Sequence, residues 1–335
     1  MKVAMYYNNK DIRIQEIEKP KAGQNEIVVR VMSCGICGSD VAEWYRMKNA
    51  PLVAGHEAAG EIAEVGKDVK GFKVGERVFV APKAPCMKCE YCKLGKFPLC
   101  ANVTRYAPGG FAEFILVPEG HIANGVFRLP KTMSYDRATF IEPLGCVIRA
   151  QKLAGVSKGQ TVLVLGSGIS GILHIRYAKS KGAKVIAADI SKERLDFAER
   201  SGAIAINADD KMPEKIISIN GKKADIAILS TGSLSAVGQA WKCVDKGGCV
   251  VFFAVPSEKE IKVPLNDFWR KEMRVITSYY CGPPEMKEAL NLIESGEIAV
   301  EDLITHNLPL KETQKGFNLI LDGKNSLKVI VHPQQ

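Results

Sequence analysis

The sequence predicts an α/β protein in two parts, a mainly β part followed by a doubly wound parallel sheet. Three observations carry this. Over residues 1 to about 130, short apolar runs alternate with Gly and Pro punctuation, as in a β domain with tight turns. From Thr161 onward, apolar strands alternate with helical patterns, the mark of βαβ units around a parallel sheet. Gly166-Ser-Gly-Ile-Ser-Gly171 directly follows the apolar run at 161–165, where a phosphate-cradling turn belongs.

In chain order, residues 27–32 (Ile-Val-Val-Arg-Val-Met) read as a strand. Cys37 follows, within Cys34-Gly-Ile-Cys-Gly-Ser-Asp40. It therefore sits at a strand-to-turn junction, with Gly35 and Gly38 permitting a sharp bend. Residues 74–80 and 112–118 alternate as half-buried strands do. Helical periodicity enters near 135 and runs through 138–154. Strands are expected at 161–165, 184–189, 224–229 and 248–253, with helices at 192–200 and near 236–243. The apolar character of these strands suits a sheet covered on both faces. A helix at 285–294 and a strand at 326–331 then return the chain to its first part. The expected domains are 1–148, 149–280 and a return segment 281–335.

A chain of 335 residues with 46% hydrophobic and 25% charged residues has ordinary globular composition. No apolar run approaches bilayer-spanning length, and the N-terminus lacks a secretory pattern, so a cytoplasmic protein is expected. The formal charge of +9 comes from lysines scattered among acids, without an arginine-rich block. That is a solvated surface, and neither nucleic acid nor membrane is expected as a partner.

Two groups of residues carry chemistry. Cys37, His56, Glu57 and Glu142 offer sulfur, nitrogen and oxygen, a mixture that suits zinc with a position left open for water or substrate. The rival is a redox dithiol of Cys34 and Cys37, but such a pair opens a helix, and here it follows a strand. Cys86, Cys89, Cys92 and Cys100 are spaced x2, x2, x7. Four thiolates with no open position describe structural zinc. A ferredoxin run would instead close with x3 and a proline. An RNA-binding knuckle would need exposed aromatics, which the lobe at about 86–100 does not interleave.

The glycine turn is the third signal. Gly166 makes the tight turn, Gly168 admits a pyrophosphate, and Gly171 packs helix on strand. The helix N-terminus offers N–H groups to phosphates. Asp189 ends the second strand, where a carboxylate accepts the ribose hydroxyls and repels a 2′-phosphate, selecting NAD. Gly166, Gly168, Ile169, Ser170, Gly171, Asp189 and Arg194 are the candidate cofactor contacts. Arg194, with Lys192, equally suits a solvated helix face.

These motifs, in this order, resemble the zinc-containing medium-chain dehydrogenases over essentially the whole chain. Within that family the chain is most similar to the branch of sorbitol and threonine dehydrogenases. Gly35-Ile-Cys-Gly-Ser-Asp40, Gly55-His-Glu57, the four-cysteine lobe, Gly110-Phe-Ala-Glu113, Glu142-Pro-Leu144 and the glycine turn carry the resemblance. It implies a GroES-like catalytic domain, a Rossmann coenzyme domain, two zinc ions per chain, NAD, and a homodimer or homotetramer. It implies a catalytic zinc on Cys37 and His56 with Glu57 beside it, and Glu142 in the third protein position, directly or through water. Ser39 matches the residue that relays the substrate proton. The reaction implied is hydride transfer between NAD and a secondary alcohol of polyol, cyclitol or amino-alcohol type. Three departures stand out. Ala42 replaces a relay histidine, with Glu43 as a candidate substitute, and the segments 40–55 and 100–109 are shorter than in typical members. A zinc-free quinone reductase and a non-catalytic dinucleotide-binding protein are the alternatives on this fold; the retained Cys37, His56 and Glu57 argue against both.

Overall fold

The structure is a computed structural model and describes residues 1–254 and 258–335. The chain forms two compact units, Met1–Gly145 with Cys281–Gln335, and Cys146–Tyr280.

The first unit is built on a seven-stranded sheet. Its central strand, Ile27–Gly35, is rich in β-branched residues, and Ile27, Val29 and Val31 are buried with Tyr6, Phe111 and Phe317 in one core. This strand pairs antiparallel with Glu57–Val65, setting Gly35 opposite Glu57. On its other side it pairs with Lys328–His332, setting Val331 opposite Cys34. A strand from the end of the chain thus lies beside the first chemical motif. The periodic segment near 135–154 forms two helices, Tyr135–Ala138 and Ile141–Ala154. Ser134 caps the first, its side chain accepting the Arg137 N–H.

The second unit carries six parallel strands. Along the sheet they run Ile204–Asn207, Lys184–Asp189, Thr161–Leu165, Ala224–Leu229, Val244–Phe252 and Arg274–Thr277. Counted within the unit that is 3-2-1-4-5-6, the Rossmann order, whose ligand crevice lies where the order reverses between strands 1 and 4. The two outer strands escape a reading by apolar runs. Each is short and half-solvated, so neither needs a continuous hydrophobic stretch. The strand expected at 248–253 begins at Val244 and has a neighbour on each side. Among the described residues the open edges are Ile204–Asn207 and Arg274–Thr277. Among the described residues no helix is long and apolar enough to cross a membrane.

Candidate metal and dinucleotide sites

The antiparallel register explains why distant ligands meet. Cys37 lies two residues beyond the end of Ile27–Gly35, and His56 and Glu57 stand at the start of the paired strand. One atom from each of Cys37, His56 and Glu57 falls within 4.8 Å of the others. With metal–ligand bonds of about 2.0–2.3 Å, a single zinc fits such a set. Glu142 is not within that distance of all three. It sits in the first turn of Ile141–Ala154, 6% exposed, with its carbonyl facing Cys281 Sγ at 3.9 Å.

Asp40 organises the turn. Its Oδ2 accepts the Cys37 N–H at 3.1 Å, while Oδ1 faces His56 Nδ1 at 3.2 Å. A partner on Nδ1 leaves Nε2 as the nitrogen for an ion. Arg46 Nη2 also reaches Oδ1, at 2.5 Å. Burial would raise the Asp40 carboxyl, but His56 and Arg46 outweigh it and hold the pKa at about 2. Burial likewise opposes charge on His56, yet the Asp40 carboxylate and Cys37 hold its pKa well above the ordinary value. Ser39 Oγ lies 3.5 Å from Cys37 Sγ. The Glu43 carboxylate is engaged elsewhere, accepting the Asn9 N–H at 3.1 Å.

Sequence reasoning missed Lys328. Its ammonium forms an ion pair with Glu57, and both side chains are 1% exposed. This pair revises the reading of Gly35, which is not at positive φ. A Cβ there would come within 2.0 Å of Glu57 Oε2 and 2.6 Å of Lys328 Nζ, so this glycine clears space for the pair. No local motif announces Lys328, which lies 271 residues from its partner. The dithiol rival loses support, since Cys34 is fully buried within the strand and burial pushes its thiol pKa far up. Of the aromatic side chains, Trp44 and Tyr45 are exposed and stack edge to face. Tyr106 is buried, its hydroxyl donating to the Gly55 carbonyl at 3.3 Å. Trp269 belongs to the second unit and is 76% exposed. There too, His174 is fully buried, edge-on to Phe253 at 4.5 Å, in a packing position.

The four-cysteine lobe gathers all four sulfurs. Cys89 Sγ is 3.6 Å from Cys92 Sγ and 3.9 Å from Cys100 Sγ. A tetrahedron with Zn–S bonds of ~2.3 Å puts its sulfurs about 3.8 Å apart, so the spacing fits one zinc. Backbone N–H groups of Lys88 and Cys89 lower the Cys86 thiol to about 6, favouring thiolate, whereas burial pushes Cys92 up to about 12. No disulfide forms among the described residues. The neck of the lobe closes where Ala84 and Thr104 exchange backbone hydrogen bonds at 3.0 Å. Beneath it the buried His121 meets the Ala81 carbonyl through Nε2 at 2.7 Å.

In the second unit the turn at 166–171 leads into the helix Ile169–Ser180. Gly166 has φ of +93°, which a side chain would strain, and a Cβ at Gly171 would meet the Gly166 carbonyl at 2.0 Å. A Cβ at Gly168 would meet nothing within 4 Å, so this face of the turn is open to a phosphate. Ser167 Oγ is buried without a partner. Ser170 Oγ accepts from Ser230 Oγ at 3.3 Å, across the switch between strands 1 and 4. Both Asp189 oxygens are steadied by backbone N–H groups, Ser167 at 2.7 Å and Ser191 at 2.9 Å. Arg194 lies in the first turn of Lys192–Arg200, where Ser191 caps its N–H. Open cradle, orphaned hydroxyl and fixed carboxylate together fit a dinucleotide.

Comparison with known proteins agrees with this geometry. Residues 23–131 match the family model of the alcohol dehydrogenase GroES-like domain, and residues 170–295 that of zinc-binding dehydrogenases. The sorbitol dehydrogenase of Bacillus subtilis (strain 168) is 32% identical, the match covering 100% of this chain and 98% of that protein. Among solved structures, 2R,3R-butanediol dehydrogenase from Bacillus subtilis superposes with a TM-score of 0.88 at 30% identity, covering 99% of each chain. An alcohol dehydrogenase of Escherichia coli CFT073, solved with NADH, superposes with a TM-score of 0.87 at 30% identity, again covering 99% of each.

Proposed function

We propose that this chain, which belongs to the zinc-containing medium-chain dehydrogenases in the branch of sorbitol dehydrogenase, oxidises a secondary alcohol flanked by other polar groups. It is a zinc- and nicotinamide-dependent oxidoreductase. The substrate reading, a polyol or vicinal diol, rests on the relatives that act on sorbitol and butanediol. One observation carries the site reading: a thiolate, an imidazole and a carboxylate converge where two paired strands meet.

When bound, zinc supplies the Lewis acidity that brings a hydroxyl pKa toward neutrality, and NAD supplies the hydride acceptor. Cys37, His56 and Glu57 hold the metal ion. Asp40 orients His56 from behind, as outer partners of ligating histidines do. Lys328 balances the buried Glu57 carboxylate. Glu142 would take the third protein position, directly or through water. Ser39 Oγ, 3.5 Å from Cys37 Sγ, would accept the substrate proton as its own is released. Cys86, Cys89, Cys92 and Cys100 hold the structural zinc. Gly166, Gly168, Ile169, Ser170 and Gly171 cradle the pyrophosphate, and Asp189, with Arg194 nearby, takes the adenosine ribose. Retention of every donor at the mixed site counts against a zinc-free reductase.

A homodimer or homotetramer is supported by the open edge at Arg274–Thr277, beside the exposed Trp269 and Tyr279. The lack of disulfides among the described residues suits the reducing cytoplasm. The test is turnover of a panel of polyols, vicinal diols and amino alcohols, each with NAD and with NADP. Polyols and diols with NAD are the expected pairs. Asp189→Ala is expected to lower kcat/KM with NAD by about tenfold or more while improving NADP, as loss of a ribose acceptor implies. A wild-type preference for NADP would contradict the Asp189 assignment.

A further inference from the structure

We infer that Arg46 is a positioning residue for the mixed-ligand metal centre, binding its two ligand-bearing segments together. This rests on the reading of Cys37, His56 and Glu57 as zinc ligands. The guanidinium makes three approaches. Nε donates to the Ser39 carbonyl at 3.0 Å, Nη2 donates to Asp40 Oδ1 at 2.5 Å, and Nη2 stands 3.3 Å from His56 Nδ1. The first contact grips the turn that carries Cys37. The second grips the carboxylate that orients His56. One side chain therefore sets the distance between a sulfur and a nitrogen ligand that belong to different segments.

The usual discount for ion pairs does not apply here. Exposed pairs contribute little because water competes for both partners. Asp40 is 0% exposed and the Arg46 side chain only 17%. The carboxylate is sealed from water, and loss of Arg46 leaves it the Cys37 N–H and His56 Nδ1 as hydrogen-bond partners. Arginine suits the task because its planar fork serves two acceptors at fixed separation. A lysine offers one point charge and cannot hold both Ser39 and Asp40 in the same way. The short helix Glu43–Arg46, beginning three residues after Asp40, delivers the side chain. Tyr45 lies against the guanidinium, 5.3 Å from ring centroid to Cζ, and narrows its freedom.

The test reads metal affinity rather than turnover. Zinc is titrated off the full-length wild type, Arg46→Ala and Arg46→Lys with a colorimetric chelator, and the visible spectrum is recorded after cobalt replaces zinc at the mixed site. The wild type is expected to hold two ions. Arg46→Ala is expected to bind the more labile ion 10–100-fold more weakly, the range for lost outer-shell partners, with an altered cobalt spectrum. Arg46→Lys is expected to recover only part of that loss. The four-thiolate ion should stay in every variant, which also reports that the lobe is folded. Unchanged affinity and an unchanged cobalt spectrum in Arg46→Ala would overturn the inference alone. A wild type that holds a single ion would overturn the ligand reading, and this inference with it.

Discussion

In the proposed reading, the lobe at Cys86–Cys100 and the centre at Cys37 hold metal in opposite ways. In the lobe every ligand is a cysteine and every ligand is close in sequence. Chain spacing alone brings the sulfurs to tetrahedral separation. At Cys37 the ligands are chemically mixed and owe their meeting to strand register, with Gly35 facing Glu57. That centre also needs charges from elsewhere, Lys328 from the last strand and Arg46 from a short helix. A closed site can be local because it has only to be filled. An open site must leave room for substrate, so its geometry has to be enforced from outside the ligand set.

The largest effect that separates the two sites is expected from Cys37→Ser. It should remove one ion and lower kcat by on the order of 10³-fold or more, the scale of losing metal Lewis acidity. Thermal unfolding should move little. Full turnover in this variant would erase the distinction between the sites. Cys92→Ser should do the reverse, releasing the other ion and destabilising the chain, because structural zinc contributes folding energy. Calorimetry and metal analysis of both variants together are the check, and equal melting temperatures would break the comparison.

Lys328→Met sharpens it further. It leaves Glu57 buried without its counterion, a loss of about 3–5 kcal/mol when one partner of a buried pair is removed. Adding Glu57→Gln should restore much of that stability but not activity. Denaturant unfolding of the single and double variants measures the coupling, and simple additivity would mean that the pair is not coupled. The smallest effect concerns acid. Burial lowers the His121 pKa to about 4, against an unfolded value of about 6.5. The unfolded chain binds the proton first, so this contribution is whole above about pH 6.5 and fades as pH falls toward 4. It amounts to about 3 kcal/mol at most. His121→Gln should flatten that part of the stability curve, and an unchanged slope would contradict it. His174, lowered to about 3 in the other unit, acts in the same direction in both proteins and cancels from the difference.

The contrast also accounts for what could be read from sequence. The parallel sheet was legible because its inner strands, Thr161–Leu165 and Ala224–Leu229, are buried on both faces and must be apolar throughout. Ile204–Asn207 and Arg274–Thr277 were not, since edge position relaxes that demand. The lobe was legible from spacing, and the glycine turn from its place between strand and helix. Lys328 was hidden because a buried lysine looks like a surface lysine in a chain that holds many. Arg46 was hidden because its meaning depends on Asp40 being sealed from water. Gly35 was read as a hinge when its role is clearance, a distinction made only by the strand that packs beside it. Those three residues share a cause: their work is set by neighbours brought in by tertiary structure.

Zinc-edge X-ray absorption of the purified full-length enzyme tests the central claim most directly. The account predicts two ions that share five sulfurs, about 2.5 per zinc, with nitrogen and oxygen making up the rest, and a rise to about four sulfurs per zinc in Cys37→Ser. Four sulfurs per zinc already in the wild type, from a single ion, would contradict it.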